Sequence, residues 1–389
     1  MSALLHGTGT SDVAGSGEAG RAAATAALAG LAGAEPALVV VYASVRYDLP
    51  ELLAGVAAVT GGAPVVGATS SGHFVGRELS APGTGVVVLA LAGGGYRFGV
   101  AAAHGMSTRP AEVGAEVVRT ARAAAGEHDL PHAALLLLAD GLVGGQQQVV
   151  AGAHRAAGAS VPIVGGVAGD DWRLSSTSVL LGDRALTDAA VGVWIASPRP
   201  LRVVSAHGWT PVGPPQLVTR AEGTSIHEIG GRPATDVYAG AVDVQEAARR
   251  GVSHGEAVEE SSYALGVIEP DGSHLVRAIY VGPDGSLKSF EPVATFSAVQ
   301  LMSADRPALL RVVDDVARAA LTTGEETVLL TFDCAARQTI LGDSIGEEVD
   351  RLQTAAGAAT CFGFYTYGEF ARSRGAGGVH NATLTALAL

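Results

Sequence analysis

Residues Cys361–Leu389 read CFGFYTYGEFARSRGAGGVHNATLTALAL. The aromatic run Gly363–Phe370 has the composition of a strand, a glycine-rich loop interrupts it, and His380–Leu389 returns as an apolar strand. The same combination occurs earlier as PVVGATSSG at Pro64–Gly72 and PIVGGVAGDD at Pro162–Asp171. A short apolar strand that ends in a glycine loop bearing hydroxyls or acids, met three times, marks an internal repeat.

Working outward, an Ala-rich helix within Ser11–Gly33 leads into the first copy, which contains strand Ala37–Ser44, helix Leu49–Thr60, and strands Gly85–Ala92 and Tyr96–His104. Gly105–Pro110 then opens a helix, since Pro is favourable at a helix start. The second copy has strand Ala133–Ala139, helix Gly145–Ala157, and strands Thr177–Leu181, Ala189–Ser197 and Leu201–His207. A third, partial copy has helix Pro307–Leu321, strand Thr327–Phe332 and helix Ile345–Ala355 before the opening stretch. Ala103-His104-Gly105 is echoed by Ala206-His207-Gly208, and Met106–Pro110 by Leu301–Pro307. Between the second and third copies lies a meander, Tyr263–Ile268, His274–Val281 and Leu287–Pro292, punctuated by two Pro-Asp-Gly turns.

These elements predict an α/β (α+β) fold with mixed sheets, in two packed domains built from repeated strand-helix-strand-strand units. The boundary falls where Pro and Gly cluster at Pro211–Pro215, giving domains 1–212, with repeats at about 30–110 and 130–210, and 213–389. A chain of 389 residues is long enough for two cores, and 48% of it is hydrophobic. The net charge of -13, without a basic stripe, argues against nucleic acid. Cys334 and Cys361 form neither a disulfide framework nor a zinc spacing. No apolar run approaches the ~20 residues that span a bilayer and no secretory leader is legible, so a cytoplasmic location without membrane insertion is expected.

The assembled motifs carry a family likeness. GFYTYGEF followed by HNATLTALAL resembles the C-terminal signature of FIST proteins, supported by VVGATSSG at Val65–Gly72, PIVGGVAGDD, HGWTPVG at His207–Gly213, VTRAEG at Val218–Gly223 and DCAAR at Asp333–Arg337. The resemblance implies an N-terminal FIST and a C-terminal FIST-C part. It also implies a sensor for a small ligand, an amino acid or similar metabolite, which signals through a separate partner protein. Haem-based nitric-oxide sensing is a second implication. The chain departs from the pattern at Gly72-His73, where Gly-Glu is expected.

Each candidate site residue admits two readings. Tyr365, Tyr367 and Glu369 alternate and share one face if they lie on one strand, which suits a ligand, or they are residues turned into the core or solvent. Arg337, in a loop beyond its strand, is a carboxylate clamp or an ion-pair partner. Cys334 is an activated thiol, with His380 as base and Asp333 or Glu369 as orienter, or a buried unreactive one. His380 and Asn381 add hydrogen bonds to a ligand or satisfy the local backbone, and His380 is also a candidate axial haem ligand. Ser70 and Ser71 line an anion loop or a close-packed turn. Asp170 and Asp171 hold an amine or cation, or cap a turn.

Overall fold

The computed structural model describes residues 4–240, 263–372 and 378–389. The chain is three copies of one unit. The first comprises β1 (Leu4–Ser11), α1 (Ser16–Ala29), β2 (Leu38–Ala43), α2 (Leu49–Ala57), β3 (Val65–Thr69), the hairpin β4 (His73–Val75) and β5 (Glu78–Ser80), and β6 (Val86–Gly93). The second comprises β7 (Arg97–His104), α3 (Pro110–Ala124), β8 (His132–Ala139), α4 (Gln146–Ala157), β9 (Ile163–Val167), the hairpin β10 (Val179–Leu181) and β11 (Arg184–Leu186), and β12 (Ala189–Ser197).

The third copy opens with β13 (Val203–Ala206) and is then interrupted by an insertion. The insertion holds β14 (Thr210–Glu222), β15 (Ser225–Ile229), β16 (Arg232–Pro233), β17 (Tyr263–Ile268), β18 (His274–Arg277), β19 (Ile279–Val281), β20 (Leu287–Ser289) and β21 (Ala298–Ser303). The copy resumes as α5 (Arg306–Ala320), β22 (Val328–Cys334), α6 (Ala335–Leu341), α7 (Ile345–Ala356) and β23 (Thr360–Thr366). It closes with the hairpin β24 (Glu369–Arg372) and β25 (Val379–His380), then β26 (Leu384–Ala388).

The three repeat sheets share one strand pattern: β1-β6-β2-β3-β10-β11, β7-β12-β8-β9-β24-β25 and β13-β26-β22-β23-β4-β5. Only the inner pair of each is parallel, as Val41 against Gly67 in β2/β3, so the sheets are mixed as the sequence predicts. In every sheet the last two strands are a hairpin from another copy. The insertion forms its own antiparallel sheet, β18-β17-β21-β14-β15-β20-β19, with β16 on β15.

Strands buried on both faces sort their side chains by alternation. In β2, Leu38, Val40 and Tyr42 turn to a central core shared by all three sheets, and Val39, Val41 and Ala43 turn to α1 and α2. The second and third sheets repeat this against α3/α4 and α5/α7. The repeated glycine of each second parallel strand has a packing cause. A Cβ at Gly67 or Gly165 would lie 1.9 Å from the carbonyl of Val41 or Leu137, and one at Gly363 would lie 2.1 Å from Thr331 Oγ1.

Several expectations need correction. The third copy is complete, not partial, because β13 leads it, and the first two copies begin one strand and one helix earlier than the apolar runs indicate. Strand β1 lies in a stretch to which the apolar pattern assigns no element, since its Gly7 and Gly9 are there to approach Ala27 and Ala23 carbonyls rather than to form an apolar face. The expected boundary at residue 212 falls inside β14. Gly363–Phe370 is not one strand: it breaks at Tyr367-Gly368, so Tyr365 and Glu369 belong to different sheets and share no face.

Arg337 is in helix α6 rather than a loop, and it is fully buried. Its Nε lies 2.9 Å from Asp333 Oδ1 but directs its N–H to Glu348 Oε1 at 3.0 Å, while Nη2 donates to Glu348 and to Leu309 O. Tyr365 OH completes the cluster on Glu348 Oε2 at 3.3 Å. The guanidinium therefore pins α5, α6, α7, β22 and β23 together and has no fork left for a ligand carboxylate. Burial, then the Glu348 charge, raises Asp333 well above the carboxylate range.

Two stability outcomes follow from this core. Arg337→Met strands Glu348 without its counter-charge and is expected to cost about 3–5 kcal/mol in urea unfolding, part of which Glu348→Gln in the same chain should restore. Tyr42 packs on Phe362 and Phe364 at 5.1 and 4.2 Å, yet its hydroxyl has no partner. Tyr42→Phe keeps the rings and removes the orphan, so a gain of about 1 kcal/mol is expected by the same measurement.

Candidate functional site

After the second parallel strand of each copy the chain crosses to a neighbouring sheet, and the three crossings lock together. Ser71 N donates to Tyr365 O (3.0 Å), Gly169 N to Thr69 O (2.9 Å) and Val167 N to Gly368 O (2.9 Å). The loops at Ser70, Asp170 and Tyr367 thus meet at one end of the shared core.

Most polar groups there are consumed by the crossings themselves. Ser70 Oγ lies 2.8 Å from His73 Nδ1, and Ser70 and Ser71 are fully buried in this packing. Asp171 accepts from Ser44 Oγ (2.6 Å), Val45 N (3.0 Å) and Gly83 N (2.7 Å). Asp170 accepts from Leu174, Ser175 and Ser176 N–H groups and from Tyr367 OH at 2.6 Å. Burial opposes its ionisation, but those donors hold its carboxyl below the ordinary value. Both aspartates cap loops.

Glu369 accepts from Thr366 Oγ1 (2.7 Å) and Thr383 N (3.2 Å), and Cys334 donates to it as well. Burial pushes its pKa up to about 8 against these bonds. Burial and then the Glu369 charge raise the Cys334 thiol, which is therefore held protonated rather than activated. His380 Nε2 engages Ala371 O at 3.0 Å, and burial lowers its pKa to about 4. His380 pairs with Glu369 across the antiparallel β24/β25 ladder.

Beside this knot lies a cavity of about 120 Å³. Copy two contributes Leu142, Gln146, Trp172 and Leu174, the insertion contributes Phe290 and Glu291, and copy three contributes Cys334, Thr366, Tyr367 and Asn381. Of the sequence candidates, Cys334, Tyr367 and Asn381 line it; Glu369 and Asp170 stand behind Cys334 and Tyr367; and Arg337, Tyr365, Ser70, Ser71, Asp171 and His380 lie outside the lining. Asn381 Oδ1 is buried without a hydrogen-bond partner. Glu291 is also buried; desolvation, partly offset by Arg277, pushes its pKa up to about 7.

The mouth is rimmed by exposed Leu142, Trp172, Leu174 and Phe290. Trp172 ties copy two to α6 through Nε1 to Gln338 Oε1 at 3.0 Å, and its ring lies 5.8 Å from that of Tyr367. Asp171, Trp172 and Leu174 all have positive φ, a strained geometry for non-glycine residues that clusters at functional loops. Sequence reading missed Trp172, Phe290 and Glu291. The signal was present for Trp172, an aromatic in an Asp-Asp-Trp loop, and absent for the other two, which the insertion brings from afar.

The residues do not fit haem. His380 is half-buried and engaged with a backbone carbonyl outside the cavity, and about 120 Å³ is well below the ~300 Å³ at which drug-sized pockets begin. Among the described residues no cluster of His, Cys, Asp or Glu is placed to hold a metal ion, and no helix is long and apolar enough to cross a membrane.

Comparison with known proteins completes the picture. An uncharacterized protein of Mycobacterium tuberculosis is 30% identical over 232 residues, covering 57% of this chain and 59% of its own length. One of Mycobacterium bovis is 28% identical over 57% of this chain and 58% of its own length. The chain thus spans under two thirds of these curated relatives. Among solved structures, the cyanuric acid hydrolase of A. caulinodans has a TM-score of 0.35 at 10% identity over 99% of both chains, and a chorismatase has 0.32 at 10% over 100% of both. Likeness this distant assigns no activity. The FIST N domain matches residues 37–232 and the FIST C domain residues 234–372. With both domains in order along its length, the chain belongs to the FIST family, whose domains are sensors in signal transduction.

Proposed function

We propose that the chain is a small-ligand sensor module of FIST type whose ligand occupies the cavity between the second copy, the insertion and the third copy. The observation that carries this reading is Asn381: a buried amide oxygen without a partner, on a residue that lines a cavity, costs free energy that a ligand donor recovers. The cavity joins segments from both matched domains, so occupancy couples the Trp172 loop to α6 and can pass to a separate partner protein. Two buried free thiols, Cys334 and Cys361, suit a reducing cytoplasmic setting.

The roles assigned from sequence are redistributed. Tyr367, Asn381 and Cys334 contact the ligand; Asp170 and Glu369 act through Tyr367 and Cys334 as positioning residues; Arg337, Tyr365, Ser70, Ser71, Asp171 and His380 hold the walls. A metabolite panel read by thermal unfolding tests the site. A stabilising compound should lose about tenfold in affinity with Asn381→Leu, and an unchanged shift would remove the site.

Glu291 adds a pH signature. Its folded pKa, about 7, lies above the unfolded value, so its contribution is full in acid and is lost as pH rises toward and through 7. The Tm of Glu291→Gln relative to the parent should therefore rise between pH 5 and pH 8, and a pH-independent difference would contradict the assignment.

A further inference from the structure

The charged groups that line this cavity are of one sign, and that bears on what it can hold. Among the described residues, its lining contains no lysine or arginine. Two buried cations stand outside the lining: Arg337 is engaged with Asp333 and Glu348, and Arg277 donates to Val379 O at 2.7 Å, has Glu291 in its field and keeps its Nε without a hydrogen-bond partner. An acidic ligand would meet no counter-charge among the lining residues, and Glu291 in that lining is matched by a donor rather than by a second acid.

What the lining does offer is complementary to a cation. Trp172, Tyr367 and Phe290 supply three aromatic rings, Glu291 a buried carboxyl, and Asn381 Oδ1 an acceptor without a donor. Aromatic faces attract ammonium groups through the ring quadrupole, most strongly when desolvated. A neighbouring carboxylate adds a charge-assisted hydrogen bond. Resting on the ligand-site reading above, we infer that the cavity takes a compact alkylammonium ligand, held among Trp172, Tyr367 and Phe290 with its N–H groups on Glu291 and Asn381. Its small volume limits the alkyl part to a few carbons.

The test uses the full chain and three probes of equal length: n-propylammonium, n-propanol and propionate, titrated by calorimetry and thermal shift at neutral pH. The expected result is binding of n-propylammonium alone, weakened at least tenfold by Glu291→Gln and by Trp172→Leu, with both variants unfolding cooperatively without ligand. Propionate or n-propanol binding as well as the amine, with loss in Asn381→Leu, would overturn the cationic class and leave the ligand site standing. No binding by any of the three would overturn the inference, and the metabolite panel above then decides the site itself. Amine binding indifferent to Glu291→Gln and Trp172→Leu would place it elsewhere and overturn the inference too.

Discussion

Every repeat sheet depends on the exchange of hairpins. Copy one gives β4-β5 to the third sheet, copy two gives β10-β11 to the first, and copy three gives β24-β25 to the second. No copy covers its own sheet edge, and an uncovered edge is a pairing liability. Strand β4 at residues 73–75 pairs with β23 at 360–366, so the first and last parts of the chain must meet before either is finished. The cost of closing so long a loop grows only logarithmically with length, which is why the exchange is sustainable. For the same reason the third copy tolerates its insertion: a Cβ on Gly208, before it, would lie 2.8 Å from the Ala308 carbonyl, after it.

Exchange also explains why the site is built where it is. Each crossing must satisfy backbone groups outside the regular ladders, so polar residues concentrate there. At the end of β22 two successive residues face opposite ways: Asp333 enters the ion cluster under α5 and α7, and Cys334 meets Glu369 and the cavity. The cavity wall is thereby braced by a buried ion cluster on its far side, which favours a preformed pocket.

The repeat was legible because glycines and apolar runs recur with their spacing intact: Gly67, Gly165 and Gly363 answer one steric demand three times. Strand β1 was not, since a strand packed closely on a helix replaces its apolar side chains with glycine. The face shared by Tyr365, Tyr367 and Glu369 was an inference from strand periodicity, and it failed because the chain changes sheets at Tyr367-Gly368. Arg337 read as a free clamp because nothing local reveals that Glu348, on the next helix, returns to it. The cavity was least legible of all, since Glu291 and Phe290 reach it from a separate sheet.

The repeat supplies its own control for function. Aligned on their glycines, Ser44, Asp140 and Cys334 are equivalent, as are Ser70 and Thr366, and His73 and Glu369. Ser70 bonds His73 at 2.8 Å and Thr366 bonds Glu369 at 2.7 Å, so Glu369 performs a crossing duty that His73 performs without any ligand. The departure at Gly72-His73 is thus a change of partner chemistry at a structural position. Ser44 is occupied by Asp171 at 2.6 Å, and Asp140 by Thr177 Oγ1 at 2.6 Å and Asp188 N at 2.7 Å. Cys334 has Glu369 on one side and open cavity on the other. Two of three equivalent positions are sealed by the neighbouring loop, and the third is roofed instead by the insertion and the Trp172 loop. Space left at that crossing, beside the unpartnered Oδ1 of Asn381, is what the repeat alone does not require.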